Sequence, residues 1–319
     1  MIKLILVLFK IRFFRIKNMI YLFSEISKFG VNIGFLSSLL ARIHQNKTAI
    51  IFNNKSISYL DVANRSKILA HYLKSDFNLV EQQKIAIISR NHPNLIYSIF
   101  GSGFLGLDIY LLPCDIKQNQ FEKLNEIHQF DFVIYDDFIS ELIYKIGYES
   151  KSFSISKIDF LINNIDSIKV SNLKFNRNYK GRIVVLTAGT TGVSKIASRK
   201  TNPFAFVIPF YELIHRLHLT KYKSVYVAIP LYHGFGISAF FVSYILGQKV
   251  FMDEKFDAKK VCLTIKENQI ETICLVPTIL QRLLNSDDSS LNNLKCIVSG
   301  GSALNKETVL RTQNELGNI

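Results

Sequence analysis

The sequence predicts an α/β protein of mostly parallel sheets flanked by helices, and three observations predict it. Short β-branched and apolar runs alternate along the chain with longer segments of helical period. Several of those runs are apolar throughout rather than alternating, the pattern of strands buried on both faces. One run, Ile183-Val-Val-Leu186, leads straight into a loop rich in glycine and hydroxyl groups, a strand-then-loop order common where α/β sheets bind anions.

The elements follow in order. Thr48-Ala-Ile-Ile-Phe52 and Lys55-Ser-Ile-Ser-Tyr59 flank Asn53-Asn54, a hairpin signature because asparagine tolerates the positive φ that a two-residue turn requires. Leu60–Leu73 places Leu60, Ala63, Ile68, Leu69 and Tyr72 near a helical period. Lys84-Ile-Ala-Ile-Ile-Ser89 reads as a buried strand, Arg90–Pro93 as a loop, and Asn94 onward as a helix. Phe130–Tyr135 and Ser154–Ile158 are strand candidates, and the polar, Asn-rich stretch 163–180 is the expected connection into a second half. Beyond it, Ser224–Ile229, Lys249–Met252, Thr272–Val276 and Leu294–Val298 read as strands. Ala258–Asn268, Pro277–Leu284 and Lys306–Leu316 read as helices, Pro277 fitting the first helical position, where its missing N–H costs nothing.

With 319 residues, 48% of them hydrophobic, the chain can bury sizeable cores. Its formal charge of +14 raises nucleic acid as a partner. The basic residues are dispersed, however, in no Lys/Arg block longer than two, and lysine is enriched along with Ile, Asn and Phe as in AT-rich coding. No dedicated nucleic-acid binding is expected. Cys114, Cys262, Cys274 and Cys296 show no metal-binding spacing and read as buried reduced thiols, so no metal-ligating residues are assigned.

The first 18 residues combine an apolar run, Leu4–Phe9, with Lys10, Arg12, Arg15 and Lys17. The run is far short of the roughly 20 residues that span a bilayer. Two readings stand side by side: a basic amphipathic segment making weak peripheral membrane contact, or an upstream stretch preceding a true start at Met19.

Val185-Leu-Thr-Ala-Gly-Thr-Thr-Gly-Val-Ser-Lys195 has the composition of a phosphate loop. Glycines allow backbone N–H groups to converge, hydroxyls add donors, and lysine adds a point charge. It is not a Walker loop, since no Ser or Thr follows Lys195. The stretch resembles the signature of the adenylate-forming (AMP-binding) superfamily of acyl-CoA synthetases, luciferases and peptide-synthetase adenylation domains, Thr-Ser-Gly-Thr-Thr-Gly-x-Pro-Lys-Gly. Ala188, Ser194 and Ile196 stand at its Ser, Pro and final Gly positions.

Three later segments resemble further family signposts in the family's order. Ile229-Pro-Leu-Tyr-His-Gly-Phe-Gly236 is similar to Pro-Leu-Phe-His-x-x-Gly. Glu271–Leu284 is similar to a strand-Pro-Thr-helix scaffold element, and Ser299-Gly-Gly-Ser-Ala-Leu304 to Gly-Gly-Ala-Pro-Leu. Taken alone, His233 is a histidine in a turn, and Gly300, Gly301 and Ser302 form an ordinary strand-to-helix turn capped by Ser302 or Asn305. The resemblance implies more. Thr187, Gly189, Thr190, Thr191, Gly192 and Lys195 would cradle the β- and γ-phosphates of ATP, with Lys195, Thr190 and His233 acting in catalysis. His233 would wall the carboxylate pocket, and Gly300, Gly301 and Ser302 would offer main-chain contacts to adenine and acyl group. Peptide-synthetase domains carry Phe-Asp where this chain has Tyr232-His233, so an amino-acid substrate is disfavoured: neutral histidine cannot pair with an ammonium as aspartate does.

The implied reaction uses ATP, Mg²⁺ and coenzyme A. A fatty or aryl carboxylate becomes an acyl-adenylate and then a thioester, in a cytoplasmic ligase. The implied fold is the superfamily's large N-terminal domain, with a first α/β subdomain at 19–180 and a second at 181–319 that begins with the phosphate loop. The family's Tyr-Gly-x-Thr-Glu segment, ribose-binding Asp and Lys-bearing lid are not found in the 319 residues. The expectation is weak ATP binding without acyl-CoA formation by this chain, the alternative role being a non-catalytic binding module that keeps the fold. Gly101-Ser-Gly-Phe-Leu-Gly106 matches Gly-x-Gly-x-x-Gly, but it lies inside a helical stretch and is read as helix packing. His215 and His218 are read as a solvated helix face rather than a metal site.

Overall fold

The computed structural model describes residues 16–164, 181–187, 195–196, 211–286, 289–317 and 319. They form two compact units, one gathering Ile16–Thr48 and Ile57–Ser198, the other Ala49–Ser56 and Arg199–Ile319.

The first unit begins with α1 (Ile16–Phe29) and α2 (Ile33–His44), the latter capped by Asn32, whose side chain accepts from the Phe35 N–H at 2.7 Å. α3 (Tyr59–Ser75) starts in a capping box in which the Asp61 N–H donates to Ser58 Oγ at 3.0 Å and the Ser58 N–H to Asp61 Oδ2 at 3.1 Å. β3 (Lys84–Ile88), α4 (Pro93–Phe104), β4 (Asp108–Leu112), α5 (Gln118–His128), β5 (Phe132–Tyr135), α6 (Ser140–Lys145), β6 (Ser152–Ser154) and α7 (Lys157–Asn164) follow, then β7 (Arg182–Thr187) and β8 (Lys195–Ile196). They build a six-stranded sheet in the order β6-β5-β3-β4-β7-β8, parallel except for the antiparallel β7–β8 pair. Apolar residues from β3, β4 and β5 (Ile88, Leu112 and Val133) bury against Phe121 and Leu124 of α5.

The second unit contains the hairpin β1 (Thr48–Phe52) and β2 (Lys55–Ser58), whose turn residues Asn53 and Asn54 have φ of 48° and 60°. It continues with β9 (Ser224–Val227), α8 (Gly234–Ile245), β10 (Lys249–Phe251), α9 (Ala258–Asn268), β11 (Thr272–Leu275), α10 (Pro277–Leu284), β12 (Cys296–Ser299) and α11 (Lys306–Leu316). The sheet order is β12-β11-β9-β10-β1-β2. α9 and α10 cover it through Val261, Ile265, Leu280 and Leu283, packed on Tyr226 and Ile273.

The units divide the chain differently from a cut after residue 180. The hairpin strand β1 pairs in parallel with β10, Ile50 opposite Val250, so it belongs with the later strands. β7, expected to open the second subdomain, instead pairs with β4, Ile183 opposite Ile109. Hydrogen bonding, not sequence proximity, assigns each strand to its sheet.

The bounds expected for α9, α10 and α11 are met residue for residue. The strand expected over Ser154–Ile158 stops at Ser154, because Lys157 already begins a helix. β4 and α8 were not foreseen from the sequence pattern, nor were α1 and α2. Gly103 lies within α4 where helices touch: a Cβ there would stand 2.7 Å from the Gly34 backbone nitrogen, so the Gly101–Gly106 stretch serves packing. Cys262, Cys274 and Cys296 are buried and Cys114 half-buried, all four as free thiols. The segment 165–180, most of the expected Asn-rich connection, and residues 1–15 of the N-terminal segment lie outside the described residues.

Candidate functional site

In the second unit's sheet, the connection after β9 runs through α8 to β10 on one side, while that after β11 runs through α10 to β12 on the other. β9 and β11 are neighbours, Ile273 opposite Tyr226. Connections that diverge from the carboxyl ends of adjacent parallel strands leave a crevice there, the usual binding position of an open α/β sheet. Ile229–Gly236 leaves the end of β9, Val276-Pro277 the end of β11, and Gly300–Ser302 the end of β12. Ladder hydrogen bonds run past the strand ends, from the Ala228 N–H to Cys274 O at 3.0 Å and from the Gly300 N–H to Leu275 O at 3.1 Å. Three of the segments singled out by motif therefore meet at one rim.

Their local form follows from the backbone. The His233 N–H donates to Pro230 O at 3.1 Å, closing a turn, and the Ile237 N–H donates to His233 O at 3.0 Å, starting α8. Gly236 is required here, since a Cβ would lie 2.3 Å from Pro230 O. His233 itself is exposed at the N-cap of α8, its ring 4.5 Å from that of Tyr232. Gly300 is required by a different neighbour: a Cβ would meet three carbons of the Phe235 ring at 2.7, 2.9 and 3.0 Å. Gly301 adopts φ of 86°. Ser302 is exposed, and the cap of α11 is Asn305, whose Oδ1 accepts from the Thr308 N–H at 2.8 Å.

Behind Phe235 lies a cavity of about 80 Å³ lined by Val225, Ala239, Val242, Cys274 and Val298. Four polar residues also line it, Ser238, Ser243, Gln248 and Thr272, and two of them are engaged by the protein. Thr272 Oγ1 donates to Ser224 O at 2.7 Å, and Gln248 Nε2 donates to Leu219 O at 2.9 Å and Tyr222 O at 3.2 Å. Burial, with Cys296 nearby, pushes the Cys274 thiol up to about 12, so it stays protonated and serves as an apolar surface rather than a nucleophile. The cavity therefore favours apolar groups, since no charged residue lines it and most of its lining is apolar. Sequence patterning did not point to these lining residues. The one signal was α8 itself, apolar nearly all round, which is unusual unless something covers both faces.

The glycine- and hydroxyl-rich stretch belongs to the first unit. β7 and β8 pair with Leu186 opposite Ile196 and Thr187 opposite Lys195, so residues 188–194 connect the two strands of a hairpin. Gly189, Thr190, Thr191 and Gly192 lie outside the described residues, as do the side chains of Thr187 and Lys195. β7 is held at its start by Arg182, whose Nε donates to the buried carboxylate of Asp108 at 2.8 Å. Among the described residues there is no group of three or more His, Cys, Asp or Glu able to hold a metal ion.

Residues 40–319 match the model of a family described as AMP-binding enzyme. The chain is similar to the 2-succinylbenzoate–CoA ligase of Bacillus velezensis, 25% identical over 266 residues that make up 82% of this chain and 52% of that protein. It is similar to that of Staphylococcus epidermidis as well, 24% identical over 270 residues covering 84% and 53%. The chain spans about half the length of the curated relatives it matches. Among solved structures, o-succinylbenzoate CoA synthetase from Bacillus subtilis in complex with the acyl-adenylate intermediate superposes with a TM-score of 0.75 at 19% identity, covering 88% of this chain and 56% of that one. A long-chain-fatty-acid CoA ligase homologue from Rhodopseudomonas palustris superposes with a TM-score of 0.74 at 15% identity, covering 90% and 73%. At these identities the structural likeness speaks for the fold.

Proposed function

Because this chain belongs to the AMP-binding enzyme family, we propose that it serves an ATP-dependent acid–thiol ligase acting on a short apolar or aryl carboxylic acid. A carboxylate oxygen attacks the α-phosphorus of ATP and pyrophosphate leaves, giving an acyl-adenylate. The sulfur of coenzyme A then attacks the acyl carbon and AMP leaves. Both steps are dominated by charge on phosphate oxygens, which donors already in place stabilise best. In this reading the backbone and hydroxyls of Thr187, Gly189, Thr190, Thr191 and Gly192, with the Lys195 ammonium, cradle the β- and γ-phosphates. Mg²⁺ bound with the nucleotide would neutralise phosphate charge.

In this reading His233, after β9, and Gly300–Ser302, after β12, face the acid and the nucleotide base at the carboxyl ends of these strands. The observation that carries the substrate class is the cavity behind Phe235. At about 80 Å³, about half the roughly 150 Å³ of cavities that admit benzene, it takes a short apolar group as it stands and an aryl ring only once the Phe235 side chain that lines it gives way, while a long fatty chain does not fit. Its lining holds no carboxylate to pair with an ammonium group, in keeping with histidine rather than aspartate at position 233. The similar proteins act, by their names, on 2-succinylbenzoate, an aryl acid, which supports the same class.

The test is calorimetric binding of non-hydrolysable acyl-sulfamoyl adenosines, which reads recognition without needing turnover. A benzoyl or short-chain analogue is expected to bind at least about tenfold more tightly than a hexadecanoyl analogue, roughly 1.4 kcal/mol. Lys195→Ala is expected to weaken ATP binding. Preference for the long chain, or no binding of any analogue, refutes the reading.

A further inference from the structure

α1 is amphipathic in the wrong sense for a helix that simply packs on a core. Its inward residues include Asn18 and Glu25, both buried, while Ile16, Ile20 and Phe23 face solvent with 82%, 61% and 65% of their surface exposed. Steps of four and three put these three side chains on one stripe. The rotation of the helix about its axis is locked from inside. Glu25 accepts from Ser38 Oγ at 2.5 Å and from Arg42 Nη1 at 2.8 Å, and the Arg42 guanidinium lies 4.5 Å above the Tyr21 ring. Turning the isoleucines inward would strip a buried carboxylate of its partners, which costs far more than leaving apolar groups wet. The apolar stripe is thus presented outward by construction, and it lies before the span matched by the family model, which starts at residue 40.

Charge identifies what covers it. Lys17 and Lys28 are exposed on α1. The first 24 residues hold five cations, Lys3, Lys10, Arg12, Arg15 and Lys17, and no Asp or Glu. Apolar side chains flanked by cations alone match an anionic phospholipid surface, where lysines meet headgroups and the stripe enters the acyl boundary. None of the described helices is long and apolar enough to cross a membrane, so the geometry is that of a helix lying on the surface.

We propose that α1 docks this protein on anionic bilayers through Ile16, Ile20 and Phe23. The experiment is co-sedimentation of the full chain with phosphatidylcholine vesicles with or without about one-third phosphatidylglycerol. Binding is expected only to the anionic vesicles and falls several-fold at high salt. Ile20→Asp/Phe23→Asp should lower it at least about tenfold with an unchanged melting temperature. Leu263→Asp, at an exposed site on α9, should leave it unaltered. Should the double variant fold poorly, Lys17→Glu provides the same reading through charge. Equal pelleting of the double variant, equal binding to neutral vesicles, or no pelleting at all overturns the proposal. So does a concentration-dependent dimer that the double variant abolishes in the absence of lipid, since the stripe would then join two copies of the chain.

Discussion

Gly300→Ala isolates the closest approach at the candidate site. The new methyl carbon would stand 2.7–3.0 Å from three carbons of the Phe235 ring, whereas carbon atoms settle at about 3.5–4.0 Å. The ring must therefore retreat by roughly 0.8 Å. It has somewhere to go, because it borders the cavity behind it. Its retreat takes up volume on the order of one water's share, about 30 Å³, from a cavity of about 80 Å³. Overpacking of this kind costs about 1–3 kcal/mol when the neighbour cannot move. Here the ring can move, and Gly300 is outside the positive-φ region, so alanine also gains about 0.4–1 kcal/mol through the unfolded state. The expected result is a small change in melting temperature together with an at least tenfold loss, about 1.4 kcal/mol, in affinity for a benzoyl-sulfamoyl adenosine. Calorimetry on Gly300→Ala, Phe235→Leu and the double variant closes a cycle. Leucine at 235 should relieve the clash and restore part of the affinity. Unchanged affinity in the folded single variant refutes the reasoning, and so does a double variant no better than Gly300→Ala.

Two further predictions concern the first unit. Burial, then the charge of Lys47, pulls the His44 pKa down to about 4, its ring 4.8 Å from that of Tyr59. The folded form resists protonation, so its stabilising share is complete above the unfolded value of about 6.5 and is lost as pH falls toward 4. Between pH 7 and pH 5 the loss is about 1–2 kcal/mol, allowing for a ring that is only partly buried. Urea melts at the two pH values should show it, and His44→Gln should flatten the difference; a variant as pH-sensitive as the parent disproves the assignment. For Glu25, burial pushes the carboxyl upward, but the Ser38 hydroxyl and the Arg42 guanidinium, with Lys28 and Lys67 behind them, outweigh it and hold the pKa below the ordinary carboxylate value. Glu25→Gln should cost about 1–3 kcal/mol at neutral pH, less than a fully buried pair because Arg42 reaches solvent. The deficit should shrink as pH falls below about 4.5, where the unfolded carboxyl protonates first, and vanish as pH falls through the lower native pKa. A pH-independent deficit in thermal melts contradicts the charge argument.

What could be read without coordinates was whatever is written locally. Helix bounds at Ala258–Asn268 and Lys306–Leu316 follow from period and from caps a residue away, Asp257 and Asn305. The hairpin follows from Asn53-Asn54. β4 escaped because Asp108–Leu112 comes almost directly after the apolar end of α4, and no polar break separates the two periods. α8 escaped because it is apolar nearly all round and opens on glycines. The Ser154–Ile158 run misled because two β-branched isoleucines in five residues suggest a strand, whereas their spacing of three is helical and the chain turns between them into α7.

The sequence by itself determined the fold class, the family signposts and their order, since each depends on residues a few positions apart. Only the tertiary structure decided that β1 joins β10, across about two hundred residues of chain. It alone placed Phe235 against Gly300 and hollowed an apolar cavity behind them. It also fixed Glu25 inward, and so Ile16, Ile20 and Phe23 outward. The reason is common to all three. Hydrogen-bond ladders, close packing and buried ion pairs are settled between residues that are distant in sequence, and the local code specifies each partner without naming the other.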